Sequence, residues 1–346
     1  MIYYQPTLNI IQFCERRKIC QKIFKIQAML ARILLSNSCA NLINYLKNII
    51  FSQEFLSRHR NSPEAFTRNR KLPFHTLIFF LINLVKGSYQ DELDRYFKAI
   101  YRFEVAKRIV SKVALSKARM KLGYTAFTEL NRHLADYFYR KFKPLTWYGF
   151  NLMAVDGTTF RLPRIEAIAR HFGAWNPRNG GECPMARGSQ LFDTLNKISI
   201  DAIISPKEIG ERELAAQHFL NLIPEDLVLL DRGYPAYWLF NLILSLDANF
   251  CARISYKRWP VEENYKTMKC RLEVENFSGK SVLSVYQDFH AKVFSKNLTS
   301  VLAFPTREII EQNSKSCKYR RQINFAQALS KVKHVIALLF IRVKHR

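Results

Sequence analysis

Two short segments decide the fold, FNLMAVDGTT at 150–159 and DLVLLDRGY at 226–234. Each begins with a short, mostly apolar run, which is typical of a β-strand buried in a sheet. An aspartate follows each run directly, Asp156 in the first segment and Asp231 in the second. A single aspartate in this setting is often a turn or cap residue. Because ligand sites in α/β proteins gather at the carboxyl ends of strands, the pair predicts one acidic crevice.

Strand-like and helical patterns alternate around these two segments. After 150–155, the hydrophobic spacing predicts a strand pair in 191–205, a helix in 209–222, a strand at 226–230, a helix in 237–246 and a strand in 249–254. From 260 onwards the pattern is mostly helical. This mixture predicts an α/β domain in which helices flank a mixed sheet.

Helical periodicity dominates the chain before this domain. Apolar residues recur at helical spacing in 29–60 and 74–85, a proline-containing loop is expected at 62–73, and 88–147 shows no strand-like alternation. We therefore predict four regions: an extension at 1–28 with no assigned role, an all-helical region at 29–146, the α/β core at 147–300 and a basic helical region at 301–346.

The charge of the chain favours a polyanionic partner. The 346 residues include 54 Lys and Arg against 28 Asp and Glu, a net charge of +26. The formal charge is +17 over 1–150, −3 over 151–250 and +12 over 251–346. Basic flanks suit a nucleic acid, because each neutralised phosphate releases counterions, whereas the acidic middle suits a divalent metal. An ordinary basic protein is the alternative that the net charge alone leaves open.

Composition excludes several other classes of protein. Apolar residues make up 48% of the chain, too many for a disordered basic tail. The longest apolar run, 77–85, is much shorter than the roughly 20 residues of a membrane span, and the first residues lack the pattern of a signal peptide. Seven cysteines without a CxxC pair fit reduced thiols. We therefore expect a cytoplasmic protein that does not enter a membrane.

A basic segment, SKVALSKARMKL at 111–122, is a candidate for direct DNA contact. Its four cations, Lys112, Lys117, Arg119 and Lys121, surround an apolar stripe. With the short helix before it, the segment would form a helix-turn-helix whose second helix enters the major groove. The alternative is a solvated basic face on one helix of a bundle.

The segment SYKRWPVEENYKTMK at 255–269 provides a third acidic candidate, Glu262. In a helix that begins near its proline, Glu262 and Lys269 stand seven residues apart and share one face. Arg258 lies at the start of that face. Such a stripe offers a metal-binding carboxylate between two phosphate-binding cations. The alternative is an exposed helix with ordinary pairs such as Glu262 with Lys266, each worth about 0.3–0.5 kcal/mol.

The neighbouring Glu263 competes for the role of third carboxylate. It lies about 100° further round a helix than Glu262, and it breaks the spacing to Lys269. Glu262 is therefore preferred.

Together, the three segments resemble the DDE transposases of insertion sequences that carry a YREK signature. In that signature arginine, glutamate and lysine follow a tyrosine at fixed spacing, and Arg258, Glu262 and Lys269 reproduce the last three positions. Asp156 and Asp231 match the first and second aspartates of the family, the latter in its Asp-Arg-Gly-Tyr setting. The resemblance implies that Arg258 and Lys269 bind phosphates near the transposon end.

The resemblance covers roughly residues 60–335 and implies an RNase H-like catalytic core. In that core Asp156, Asp231 and Glu262 would bind two Mg²⁺ or Mn²⁺ ions, the hard cations that oxygen ligands suit. Two such metals activate the attacking oxygen and stabilise the leaving oxygen of a phosphodiester. The implied activity is DNA transposition by a nucleoid-associated homodimer, which binds terminal inverted repeats in double-stranded DNA and transfers the cut strands to target DNA.

The sequence departs from the family pattern in two places. The signature tyrosine is expected at 255, where Ser255 stands, so Tyr256 is the candidate for its DNA-binding role. Asp231 and Glu262 are only 31 positions apart, whereas relatives place a β-rich insertion domain in that gap. An internal deletion near 254–255 explains both departures. The alternative function is therefore a catalytically inactive, internally deleted relic that only binds DNA, and a metal-dependent nuclease without strand transfer is a third hypothesis.

Overall fold

The computed structural model describes residues 37–68, 70–84, 87–175, 181–252, 260–307, 310, 323–333 and 335–342. Helices α1 to α6 come first, at Asn37–Phe51, Gln53–His59, Phe74–Leu81, Tyr89–Tyr101, Lys112–Arg119 and Thr125–Lys141. Strands β1 to β6 are Asn151–Arg161, Ala174–Trp175, Cys183–Asp193, Ile198–Ser205, Asp226–Leu230 and Asn249–Ala252. Helices α7 to α9 lie among the strands, at Glu166–Phe172, Glu211–Phe219 and Tyr237–Ser245. Helices α10 to α13 follow, at Pro260–Lys266, Val282–Ala303, Phe325–Val332 and Ile336–Arg342, with a π-helical turn at Thr267–Arg271.

The strands form one mixed sheet. β3 lies between β1 and β4 and is antiparallel to both, whereas β5 and β6 run parallel to β1. The spatial order is β4-β3-β1-β5-β6, and β2 pairs with the start of β3. The predicted α/β domain with a mixed sheet and flanking helices is confirmed, and β5 has the predicted bounds.

β1 is longer than the sequence predicts, and the difference changes the position of Asp156. The apolar pattern predicts that the strand ends before Asp156, but it continues to Arg161. The additional residues pair with β3, in which Gln190 lies opposite Asp156 and Met185 opposite Arg161. The local sequence does not reveal this extension because it depends on a partner strand that lies further along the chain. Asp156 therefore lies in the middle of a strand and not after its end.

Three apolar clusters hold the layers together. The largest joins the N-terminal helices to α11 and α13, with Phe138, Phe294 and Phe340 fully buried. The C-terminal helix α13 thus packs within the N-terminal helical region. Each of the other two clusters covers one face of the sheet. Helices α10 and α11 pack on the face that carries Ala154, and α8 and α9 pack on the face that carries Val155. No helix in the described part of the chain is long and apolar enough to cross a membrane.

A buried polar cluster joins α5 to α11, and we call it the junction cluster. Its centre is Arg119, which is 3% exposed and donates to Asp288 Oδ1 and Gln287 Oε1, both at 2.8 Å, and to the Tyr89 hydroxyl. Ser278 donates to the second carboxylate oxygen of Asp288 through its main-chain N–H and its hydroxyl, at 2.9 and 2.8 Å. These five residues link the N-terminal helices to the α/β domain.

The junction cluster corrects one prediction about the basic segment. Arg119 points into the protein, where its guanidinium pairs with the buried Asp288 carboxylate, so it is not available to contact DNA. Lys112, Lys117 and Lys121 of the same segment are exposed. The helix itself begins as expected, since the Ser111 side chain accepts a hydrogen bond from the N–H of Ala114.

Candidate active site

Asp156 and Asp231 lie next to each other where β5 ends. β1 and β5 are parallel, and the last paired residues are Ala154 and Leu229. Asp156 and Asp231 each lie two residues further along, so their main chains are neighbours. Both are half-buried. One carboxylate oxygen of each accepts a hydrogen bond from the main-chain N–H of the following residue, at 2.8 Å. The structure thus places the first two predicted acidic residues on neighbouring segments of main chain.

Helix α10 is fixed beside Asp156 by two hydrogen bonds. The Tyr265 hydroxyl donates to the main-chain carbonyl of Asp156 at 2.7 Å. The Asn264 amide donates to Gln190 Oε1 at 2.9 Å, and Gln190 lies opposite Asp156 in β3. Glu262 belongs to this helix, three residues before Tyr265. The backbone of the third predicted acidic residue is therefore part of the helix that contacts the first.

Two residues near Glu262, Glu263 and Lys269, test the prediction that Arg258, Glu262 and Lys269 share one helix face. The competing carboxylate, Glu263, has a 61% exposed side chain and pairs with Lys266 at 2.6 Å. Lys269 lies in the π-helical turn, and its Nζ is 5.5 Å from the ring centroid of Phe160 in β1. A π turn holds more residues than an α turn. The spacing argument assumes two regular α-helical turns between Glu262 and Lys269, and this assumption does not hold here.

The remaining predicted DNA contacts fall into two groups. Lys112, Lys117 and Lys121 are exposed, the first two on α5 and the third directly after it. Tyr256 and Arg258 lie outside the described residues.

Two buried polar atoms of this region, the Tyr234 hydroxyl and Arg187 Nε, have no hydrogen-bond partner among the described residues. Tyr234 ends the Asp-Arg-Gly-Tyr motif and is 2% exposed. Burial, and then the negative charges of Asp156, Glu211 and Asp231, raise the pKa of Tyr234, so its hydroxyl keeps its proton at neutral pH. Since buried polar groups are nearly always paired, an unpaired donor among carboxylates marks a place for a ligand oxygen.

We call Asp156, Asp231, Glu211 and Tyr234 the carboxylate end of the sheet. Within the described residues, no group of three or more His, Cys, Asp or Glu side chains is arranged to hold a metal ion. The carboxylate end therefore presents two neighbouring aspartates but no complete set of metal ligands among the described residues.

The sequence analysis does not predict a buried hydrogen-bond network that ends at the main-chain carbonyl of Asp156. His218 Nδ1 lies 2.7 Å from Asp201 Oδ2, His218 Nε2 lies 3.0 Å from Ser189 Oγ, and Ser189 Oγ lies 3.3 Å from the Asp156 carbonyl oxygen. Burial acts to raise the pKa of Asp201, but the hydrogen bond from His218 holds it below its usual value. No local pattern predicts this network, because its residues come from four separate elements, α8, β4, β3 and β1.

Comparison with known proteins agrees with this geometry. Residues 147–257, which include Asp156 and Asp231, match the family model described as Transposase DDE domain. Two proteins of Escherichia coli (strain K12) are similar to this chain. The first, "Putative transposase InsZ", is 23% identical over 195 residues, which are 56% of this chain and 63% of that protein. The second, "Transposase InsG for insertion sequence element IS4", is 24% identical over 182 residues, 50% of this chain and 40% of that protein.

The matched part thus spans less than two thirds of the length of either relative. Among solved structures, a piggyBac transposase synaptic complex with hairpin DNA aligns with a TM-score of 0.42 at 10% identity, covering 88% of this chain and 82% of that one. Asp156 and Asp231 therefore lie in a segment that matches the transposase DDE domain family, and about half of the chain is similar to two proteins of Escherichia coli described as transposases.

Proposed function

We propose that the chain is a DDE transposase, which binds the ends of an insertion sequence and cleaves and joins DNA strands with Asp156, Asp231 and Glu262 as its acidic triad. One observation carries the proposal. Asp156 stands beside Asp231 at the end of β5, inside the segment that matches the transposase DDE domain. The helix that carries Glu262 is hydrogen-bonded to the main chain of Asp156, which supports a third carboxylate at the same place.

The sheet supports the RNase H-like core that the resemblance implies. β1 is its central strand, with antiparallel β3 on one side and parallel β5 on the other. Asp156 lies on this central strand, and Asp231 directly follows its parallel neighbour. The crevice at the carboxyl ends of parallel strands is where α/β proteins bind ligands.

The residues of this crevice fit Mg²⁺ or Mn²⁺. Asp156 and Asp231 supply carboxylate oxygens, which hard divalent cations prefer, and Glu262 would supply the third ligand. The unpaired Tyr234 hydroxyl can donate to a water or phosphate oxygen placed there. When bound, a pair of such ions activates an attacking oxygen and stabilises the leaving oxygen of a phosphodiester.

The protein's own groups would hold the aspartates and the DNA strand in place. Tyr265 from α10 and Ser189 from β3 both approach the main-chain carbonyl of Asp156, which fixes the strand that carries this carboxylate. Lys269 lies over Phe160 of the same strand and would bind a backbone phosphate as a point charge. Tyr234, which keeps its proton, would donate to a phosphate oxygen.

The DNA partner is proposed from the distribution of charge. Lys112, Lys117 and Lys121 present three exposed cations on or beside one short helix, and the chain as a whole carries +26. Such a surface would bind the phosphates of a terminal inverted repeat. A homodimer would hold the two ends of the element together.

One observation favours the second hypothesis, an internally deleted relic that binds DNA without transposing it. β6 ends at Ala252 and α10 begins at Pro260, so only the seven residues 253–259 connect them. That connection is too short for the β-rich insertion domain that the resemblance leads us to expect. A deletion near 254–255 would remove the contacts of that domain with DNA ends.

A cleavage assay with the full chain tests the proposal. The substrate is a labelled duplex that ends in the element's terminal inverted repeat, in the presence of Mg²⁺. Asp156→Asn and Asp231→Asn should each reduce strand cleavage roughly 10³-fold, because the metals contribute several kcal/mol to the transition state and each 1.36 kcal/mol is tenfold. DNA affinity should be retained. The exposed Asp247→Asn, the same chemical change away from the site, should cleave like the wild type.

The outcomes separate the hypotheses. Cleavage that survives both Asp156→Asn and Asp231→Asn contradicts the triad. Binding of the terminal repeat by the unaltered chain without any cleavage supports the relic.

A further inference from the structure

Glu211 lies against β1 beside the first aspartate of the proposed triad. It is the first residue of α8, and a Cβ atom built on Gly157 would lie 3.1 Å from its carboxyl carbon. The main-chain N–H of the same glycine donates to Asp156 Oδ1 at 2.8 Å. Gly157 therefore lies beside both carboxyl groups.

Gly157 makes room for this approach. Its backbone belongs to an extended strand and is not in the left-handed region that favours glycine, so the main chain does not require a glycine here. Its missing side chain allows the carboxyl group of Glu211 to reach the strand. The start of α8 is held in this position because Arg212 Nε donates to the carbonyl of Gly233 at 3.0 Å, in the turn after Asp231.

A second, independent observation indicates a ligand at this place. Tyr234 is 2% exposed, and its hydroxyl has no hydrogen-bond partner within the described part of the chain. The charges of Asp156, Glu211 and Asp231 all act on this hydroxyl. An unpaired buried hydroxyl is costly, so the position suits a ligand that brings oxygen atoms of its own, such as a hydrated cation or a phosphate.

A glutamate in the first turn of a helix also has an ordinary role, because its charge stabilises the helix dipole. Glu213 shares that role in the first turn of α8, but it lies against Gly210 at the start of its own helix. Glu211 differs because it lies against β1, and it makes no hydrogen bond or ion pair within the described residues. The helix dipole alone does not explain this placement.

We propose that Glu211 is a further carboxylate of the metal site, in addition to Asp156, Asp231 and Glu262. This inference rests on the proposed function, since the cation is the one that the triad would bind. No three acidic side chains of the described residues are arranged to hold a metal ion, so the proposed site needs Glu262 as well as Glu211. A divalent cation would stabilise carboxylates that are brought together in this way.

Mn²⁺ binding to the full chain, measured by isothermal titration calorimetry without DNA, tests the inference. Glu211→Gln should weaken Mn²⁺ binding about tenfold or more, as loss of a group near a bound metal commonly does. Glu213→Gln makes the same chemical change in the same helical turn and should leave the affinity unchanged. Circular dichroism should show the same helix content in both variants.

Asp156→Asn separates failure of this inference from failure of the proposed function. If Asp156→Asn weakens Mn²⁺ binding but Glu211→Gln binds like the wild type, the role of Glu211 is overturned and the triad is retained. Mn²⁺ binding that is unchanged in Asp156→Asn overturns the proposed function and this inference together.

Gly157→Ala gives a second measurement that does not alter any carboxylate. The new methyl group should push the Glu211 carboxyl group away from the strand and weaken Mn²⁺ binding. In the Glu211→Gln background the same change should have no further effect, because the two residues act as one coupled unit. Losses that add in the double variant would contradict the inference.

Discussion

The junction cluster and the carboxylate end are both rich in charged groups, yet they are built in opposite ways. In the junction cluster each nitrogen of the buried Arg119 guanidinium has a hydrogen-bond acceptor. At the carboxylate end, three carboxylates and the Arg187 guanidinium act on the Tyr234 hydroxyl, which has no partner among the described residues. The first arrangement is fully paired within the protein, whereas the second contains a buried donor that has no partner among the described residues.

This contrast is the one we expect between a structural polar cluster and a proposed ligand site. A fully paired buried network rigidifies the two regions that it joins, and removal of one member leaves the others unsatisfied. A group of like charges opposes its own assembly until a ligand binds. Loss of a charge should therefore lower stability strongly at the junction cluster, but should mainly lower metal binding and DNA cleavage at the carboxylate end.

The largest effect on stability is expected from Arg119→Met. The substitution leaves the Asp288 carboxylate buried without its cation, which should lower the free energy of unfolding by about 3–5 kcal/mol. Urea denaturation followed by circular dichroism measures this change. The exposed neighbour Lys117→Met should stay within about 0.5 kcal/mol of the wild type.

A double variant sharpens this test. Adding Asp288→Asn to Arg119→Met removes the unpaired charge and should recover part of the lost stability. If Arg119→Met costs less than about 1 kcal/mol, the junction cluster does not hold the two regions together, and the contrast with the carboxylate end fails.

The different positions of Arg119 and Lys117 show a limit of prediction from sequence. The two residues are two apart in one basic segment, and their local pattern gives both the same expected role. Arg119 is buried because α11 brings Asp288 to it from far along the chain. β5, in contrast, is predicted with its observed bounds, because a strand that packs against apolar clusters on both faces has a continuous apolar run.

A second test concerns His290, a buried histidine on α11, the helix that also carries Asp288 of the junction cluster. Burial lowers the pKa of His290, two residues after Asp288, to about 4, whereas an unfolded chain binds the proton near pH 6.5. Between these values the unfolded state binds more protons than the folded state, so the free energy of unfolding should fall as the pH drops from about 6.5 to about 4. The expected contribution is up to about 3 kcal/mol.

The difference between the wild type and His290→Gln isolates this contribution from that of other histidines. Urea denaturation at pH 7 and pH 4.5 should show a smaller loss of stability in the variant than in the wild type. Equal losses in the two proteins would show that His290 is not a buried neutral group.

The smallest expected effects concern the exposed lysines of the basic segment. Lys112→Ala, Lys117→Ala and Lys121→Ala should each weaken DNA binding and reduce the slope of log affinity against log salt by about one, since each removes one phosphate contact. Fluorescence anisotropy at several salt concentrations measures the slope. Lys331→Ala, an equal change of charge on α12, is the control. Slopes that do not differ from the wild type would place DNA on another surface.

The acidic residues show the same limit of prediction. The neighbouring positions of Asp156 and Asp231 could be expected because each follows an apolar run, although β1 continues past Asp156. Glu211 could not be recognised, since a glutamate at the start of a helix usually stabilises the helix dipole. Tyr265 gives no local signal either, because its role depends on the carbonyl of Asp156 across the helix–sheet interface.

We propose that three carboxylates, which are distant in sequence, meet around divalent metal ions. A crystal structure of the full chain with Mn²⁺, located by anomalous scattering, tests it most directly. We predict manganese within roughly 2–2.5 Å of carboxylate oxygens from Asp156, Asp231 and Glu262. Manganese bound elsewhere, or the three side chains placed on separate surfaces, would contradict the account.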